Sequence, residues 1–282
     1  MLIRALLFSA GIPAALAAAL LGVAWARSKD APTRLVAGPA LGLAYLAGHA
    51  AVLGLPAWPP RESTQWLFVL AIAGVAVGSL TAWNPKLRYP GLVFLSLGIP
   101  AALLQSPIRS RWTAGTSIGA VFGIGVCIAL LWLATRATAD RSRGSDLPAV
   151  WTLLAAGTAG AMQLSGSASL AQLVGALAAG AGALTVAAWW RPRADVRGAV
   201  PVAVSMLAAF WICGAYFIEV PLPSIGALAL GAFAPHLARP RLTDGRPSRA
   251  GFVLAVGAAL VTVLLALWWA RPEPLAPGAT PY

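Results

Sequence analysis

The sequence predicts an all-α, polytopic integral membrane bundle of about ten transmembrane helices, or nine at the fewest, with no soluble domain. Three observations predict this fold class. Of the 282 residues, 59% are hydrophobic and only 10% are charged, whereas a soluble domain carries about a quarter charged residues. Apolar runs of about 20 residues, the length that crosses the hydrocarbon core, recur along the chain. Runs such as 252–270 are apolar on every face, unlike the alternating strands of a β-barrel.

Ten segments are candidate transmembrane helices: about 2–26, 35–55, 64–82, 89–105, 113–134, 148–164, 168–190, 199–219, 223–238 and 250–270. We expect residues 1–270 to form a single transmembrane domain and the proline-rich tail, 271–282, to be disordered. The first apolar run is longer than the core of a signal peptide, so we interpret it as a retained helix. The fourth is short and contains Pro90 and Pro100, which leaves a re-entrant segment as an alternative.

Basic residues alternate between the two sides of the predicted bundle. The loops after the odd-numbered segments hold 15 of the 20 basic residues, and the remaining five are Arg4, Arg61, Arg109, Arg111 and Arg271. Because short basic loops stay cytoplasmic, both termini are expected outside. If the fourth segment did not cross, every later loop would invert, so the alternation favours a crossing.

The net charge of +12 follows from the same loops. It indicates contact with anionic lipid headgroups at the arginine-rich inner loops, and we expect no nucleic-acid partner. In general composition the chain resembles multi-pass proteins of high-GC bacteria, which implies the bacterial inner membrane. Two of the basic loops, 136–144 and 191–198, are similar in sequence, which we attribute to topology in preference to a duplicated unit.

Glycines recur at four-residue spacing in three of the segments. Gly115, Gly119 and Gly123 share one face of the fifth, and the pairs Gly38–Gly42 and Gly74–Gly78 do the same in the second and third. Small residues at this spacing let helix backbones approach closely in lipid. We expect packing within the chain, with a partner helix at Gly115, Gly119 and Gly123 as the alternative.

Few polar side chains are available for chemistry, and ionisable groups inside a membrane are functional candidates by default. Tyr45 and His49 are four residues apart and share a helix face. Glu219 has no Lys or Arg within three positions, so we expect a contact across the fold with Arg61, Arg109, Arg111 or His49. The candidate substrate-binding residues are Glu219, His49, Tyr45 and Gln163.

No catalytic, metal or cofactor site is predicted. The two cysteines, Cys127 and Cys213, have no metal-ligand spacing and are expected to be buried apolar residues. His49 and His236 are predicted near opposite membrane surfaces, which argues against one haem bound by both.

Three functional hypotheses remain open. The first is permease-like handling of a small or lipidic solute, the second a non-catalytic subunit or scaffold packing against partner helices, and the third an intramembrane lipid-modifying enzyme. Resemblance to ten-helix drug and metabolite carriers extends to helix count only. A polar cavity reaching Glu219, His49 or Gln163 would favour transport or lipid chemistry. A solid interior with an exposed Gly/Ala groove would favour the subunit.

Overall fold

A computed structural model describes residues 7–27, 33–141, 144–191, 194–237 and 249–272, and within these ranges the chain is helical without strands. A π-helical turn at Leu7–Gly11 leads into the first helix. The helices are α1 (Ile12–Arg27), α2 (Thr33–Leu53), α3 (Ser63–Trp83), α4 (Arg88–Leu103), α5 (Gln105–Ser110), α6 (Ala114–Arg141), α7 (Asp146–Leu164), α8 (Ala168–Trp190), α9 (Val200–Phe217), α10 (Leu222–Gly231), α11 (Ala234–Leu237) and α12 (Arg249–Trp269).

Seven helices in the described ranges are long and apolar enough to cross a membrane: α2, α3, α6, α7, α8, α9 and α12. The predicted class of helical membrane bundle is therefore confirmed. Helices α1, α4 and α10 are shorter, and the last of these ends at Gly231, where a turn precedes α11. Segment α5 is a short helix where the sequence predicted a loop.

Helix α9 lies at the centre of the bundle. It contacts α2, α3, α4, α6, α7, α8 and α10, and 83% of an 18-residue apolar window within Arg197–Phe217 is buried. The corresponding share is only 28% for α6 and for α12, which lie at the periphery. Because α9 is surrounded by other helices, none of its sides needs polar residues, and the helix is apolar on all sides.

Glycines of both pairs, Gly38–Gly42 and Gly74–Gly78, bring their helices onto the start of α9. A Cβ atom built on Gly38 would lie 2.5 Å from the carbonyl oxygen of Gly198, and one on Gly78 would overlap the same oxygen. A Cβ on Gly74 would lie 3.2 Å from the Cα of Val202. Packing within the chain is therefore observed for α2 and α3. The absence of side chains there lets their backbones approach the loop before α9 and the helix itself.

Some predictions fall outside the described residues. The expected disorder of the tail concerns mainly residues 273–282, and the basic loop at 238–248 is also outside the described ranges. The same holds for residues 1–6 and 28–32, which include Arg4 and Lys29.

Candidate functional site

Tyr45 and His49 lie together inside the bundle. They are 0% and 1% exposed, and their ring centroids are 5.9 Å apart in an edge-to-face arrangement. The Nε2 atom of His49 lies 3.1 Å from the carbonyl oxygen of Thr64, to which it donates a hydrogen bond. Phe210 of α9 also packs edge-to-face on Tyr45. The predicted pair is thus formed, and it is part of the packed core.

Glu219 and Gln163 are exposed, and no hydrogen bond or ion pair in the described chain joins either side chain to that pair. Glu219 follows the end of α9 with φ of 59°, a left-handed position that glycine usually fills at helix ends. Beyond it, the Val220 N–H donates to the Gly214 carbonyl oxygen at 2.9 Å. Within the described ranges no ion pair involves Glu219, so the predicted anchor to a basic residue is wrong.

A lateral groove of about 610 Å³ opens between α6, α9 and α10. It is lined by Gly119, Ala120, Gly123, Ile124, Cys127, Ile128, Leu130, Leu131, Ala208, Trp211, Ile212, Ala215, Tyr216, Leu222, Ile225, Ala229 and Phe233. A Cβ atom on Gly119 or Gly123 would meet nothing within 4 Å. Cys127 is exposed here, so its predicted burial is wrong, whereas Cys213 is buried as expected.

A second cavity, the polar pocket, has a volume of about 420 Å³ and is formed by α5, the following turn and the end of α9. Its lining residues are Ser106, Pro107, Ser110, Arg111, Trp112, Tyr216 and Phe217. Tyr216 lines both cavities, so the polar pocket adjoins the lateral groove. The rings of Trp112 and Tyr216 meet edge-to-face at 5.7 Å between centroids.

At the C-terminal end of α6, away from both cavities, three arginines surround one carboxylate. Asp140 lies 3.2 Å from Arg136 Nε, 3.6 Å from Arg197 Nη1 and 3.8 Å from Arg88 Nη1. Arg197 also pairs with Asp195, and Arg136 Nη1 donates to the Arg197 carbonyl oxygen at 3.2 Å. The two basic loops of similar sequence therefore contact each other. We call this group the arginine network.

Asp195 connects the arginine network to α2. Its backbone N–H donates to Thr33 Oγ1 at 2.7 Å. Burial alone would raise the pKa of the Asp195 carboxyl, but hydrogen bonds from the Arg197 side chain and backbone N–H outweigh it and lower the pKa. The carboxylate is therefore ionised at neutral pH. Its charge offsets that of Arg197. Because the Asp195 backbone also bonds to Thr33 at the start of α2, the network joins helix ends that are far apart in sequence.

Neither cavity was predicted from the sequence. Two signals were present: the open glycines of α6, and Arg111 beside Trp112 and two serines. Which face of α6 is left uncovered depends on how α9 and α10 pack against it, and the sequence of α6 alone does not determine that packing.

His236 of α11 contacts Thr138 at 3.0 Å. Among the described residues, no group of three His, Cys, Asp or Glu side chains is placed to hold a metal ion.

Comparison with protein-family models, curated proteins and solved structures found no match to the chain. Functional interpretation therefore depends on the lateral groove, the polar pocket and the arginine network.

Proposed function

We propose that the protein is a membrane-embedded, lipid-binding subunit that holds an apolar chain in its lateral groove and conducts no solute through its centre. The groove carries this proposal. Its volume of about 610 Å³ falls within the roughly 300–1,000 Å³ of ligand cavities in proteins. Its lining is almost entirely aliphatic and aromatic, and α6 lies at the periphery, where bilayer lipid has direct access.

The packed centre weighs against a permease. Tyr45, His49 and Phe210 are buried side by side in the core, and neither the lateral groove nor the polar pocket is lined by His49, Glu219 or Gln163. Transporters bind their substrates at polar sites near the membrane midplane. A packed centre with an exposed Gly/Ala groove is the arrangement that the subunit hypothesis requires. The proposed ligand, a lipid, is also one of the two kinds of solute that the permease hypothesis named.

The enzyme hypothesis has less support. The ionisable side chains that line the lateral groove and the polar pocket are Cys127, Arg111 and Tyr216. Hydrolysis or transfer at a lipid headgroup needs a general base or an activated nucleophile within reach of the reacting atoms. These three side chains provide no acid–base pair.

Our proposed topology has ten crossings in one domain of residues 1–270, both termini outside and the bacterial inner membrane as the location. Loop charge is its basis. Arg88, Arg136 and Arg197 come from three different loops or helix ends predicted on the cytoplasmic side, and their meeting in one network supports a common side. The polar pocket then lies at the outer surface, and other basic residues of the inner loops contact anionic lipid headgroups.

Native mass spectrometry of the detergent-purified protein tests the proposed function. We expect one lipid to remain bound to each chain, and Gly123→Leu to lose it because the new side chain extends into the groove. A Cβ at Gly123 meets nothing within 4 Å, so the fold should be retained. The matched control is Gly257→Leu, at a glycine of α12 with equally open surroundings outside the groove. Equal lipid retention by both variants would refute the proposal.

A partner helix in the groove is the second candidate, because Gly115, Gly119 and Gly123 all have open space around them and small residues at this spacing favour helix contacts. Cys127 lines the groove and tests this directly. In a Cys213→Ala variant, Cys127 is the only thiol left. Copper-catalysed oxidation of native membranes that yields a Cys127-linked dimer would show a second copy in the groove and would contradict the lipid proposal.

A further inference from the structure

The lateral groove and the polar pocket together form one site with an apolar and a polar end. The groove extends along α6 from Leu131 to Gly119 and is lined by apolar side chains over most of this length. Tyr216 belongs to both linings, and the pocket beyond it contains Ser106, Ser110 and Arg111. A lining that changes from aliphatic in the groove to basic in the adjoining pocket matches an amphiphile, with its chain in the groove and its headgroup in the pocket.

Arg111 determines the sign of charge that the polar end accepts. The arginine guanidinium is a cation that binds phosphate or carboxylate with parallel hydrogen bonds. Arg111 is exposed, and no carboxylate in the described residues pairs with it. Glu219, two residues beyond Phe217 of the pocket, forms no ion pair with it. The pocket lining itself contains no acid, so an anionic group would meet no local repulsion from it.

The aromatic residues place this pocket at headgroup depth. Trp112 and Tyr216 form an edge-to-face pair that lines the polar pocket, and Tyr216 also lines the groove where the two cavities adjoin. Tryptophan and tyrosine concentrate at membrane–water interfaces because their rings are amphipathic. This ring pair therefore lies at the depth where a phospholipid's glycerol and phosphate meet its acyl chains.

We infer that this site binds one anionic phospholipid, with an acyl chain in the lateral groove and the phosphate-bearing headgroup at Arg111. The inference rests on the proposed function and adds the chemical class of the lipid. It favours a lipid over a helix for two reasons. The groove has the volume of a ligand cavity, and a transmembrane helix in the groove would leave the polar pocket without a matching group. On the proposed topology, the lipid comes from the outer leaflet.

Headgroup selectivity tests the inference. The protein is reconstituted with equal amounts of phosphatidylglycerol and phosphatidylcholine that carry the same acyl chains, and the retained lipid is identified by native mass spectrometry. We expect wild type to retain phosphatidylglycerol in preference by roughly tenfold, as one charged hydrogen bond would give. Arg111→Gln should abolish the preference. Arg109→Gln removes the same charge two residues away, outside the pocket lining, and should keep it.

The outcomes separate the two proposals. Lipid retained by wild type without headgroup preference, or a preference lost equally in both arginine variants, would overturn the anionic site and leave the lipid-binding groove intact. No lipid retained by wild type, or a Cys127-linked dimer in membranes, would overturn the proposed function and the inference with it. Preference lost only in Arg111→Gln, with lipid itself lost only in Gly123→Leu, would support both.

Discussion

Two glycine faces with the same spacing have opposite surroundings in this bundle. Gly38, Gly74 and Gly78 of α2 and α3 lie against the backbone around Gly198 and the first turns of α9. We call these the packed face. Gly115, Gly119 and Gly123 of α6 have nothing within 4 Å of a Cβ position, and they form the open face. Four-residue spacing therefore indicates a surface that permits close approach, but it does not indicate whether that approach occurs within the chain.

The difference follows from the position of each helix. Helices α2 and α3 both contact α9 and the turn at Arg197–Ala199, so their glycines meet backbone atoms that only a residue without a side chain can accommodate. Helix α6 also contains Gly125, which packs on the Ser96 carbonyl and the Leu97 side chain of α4. The side that carries Gly125 is thus packed on α4, whereas the Gly115–Gly119–Gly123 side has no neighbouring atoms at its Cβ positions.

The largest expected effect is at the packed face. In Gly78→Ala, the added methyl group would overlap the carbonyl oxygen of Gly198. Because this obstacle is backbone, the helices must move apart, and overpacking of this kind costs about 3 kcal/mol or more. Thermal unfolding in detergent should show a strong loss of stability. Unchanged stability would show that α3 does not pack on the Gly198 turn.

If Gly78→Ala does not accumulate, Gly74→Ala provides the graded comparison. Its Cβ would lie 3.2 Å from the Val202 Cα, a contact that a shift of a few tenths of an ångström relieves. We expect a loss near 1 kcal/mol, at the lower end of overpacking costs. A larger loss than for Gly78→Ala would contradict the described packing.

The arginine network includes Arg197, which belongs to the turn at Arg197–Ala199 that the packed face contacts. Weakening the network should therefore destabilise the packed face, but less than Gly78→Ala does. Asp140→Asn removes the carboxylate shared by Arg88, Arg136 and Arg197. The Arg136 side chain is only 12% exposed and would lose its acidic partner. Partial exposure limits the effect, and we expect a loss of about 1–2 kcal/mol in the free energy of unfolding, measured with denaturant.

The matched control is Glu219→Gln, which neutralises an exposed acid that has no ion pair in the described chain. It should change stability by less than about 0.5 kcal/mol. Equal losses from the two variants would mean that overall charge, and not the network, stabilises this end of the bundle.

Much of the architecture could be predicted from the sequence, because bilayer thickness requires long apolar segments and the cost of exposed backbone in lipid requires them to be helical. Each of the seven long helices overlaps a predicted segment, although α6 continues to Arg141, seven residues past the predicted limit of its segment. Helix α10 ends at Gly231, seven residues before the predicted limit of its segment. Composition could not show this, since Ala232 and Phe233 are as apolar as the helix itself.

The candidate site was less predictable. Tyr45 and His49 share a helix face, and helical geometry alone places them together. Glu219 was singled out for its isolation in the sequence, yet it lies exposed at a left-handed helix end. The lateral groove and the polar pocket depend on which faces α9 and α10 cover, a property of tertiary packing. The pairing of Asp140 with Arg197 likewise joins residues far apart in sequence.

The smallest expected effect is at the open face. Gly119→Ala makes the same chemical change as Gly78→Ala, but its methyl group meets nothing within 4 Å. We expect stability in detergent to stay within about 0.5 kcal/mol of wild type, or to rise slightly because alanine favours the helix. Because both variants make the same glycine-to-alanine change, the difference between their stabilities would then come from the surroundings of the two faces. A clear loss of stability in Gly119→Ala would mean that another part of the chain covers α6, and the groove would have no opening to the bilayer.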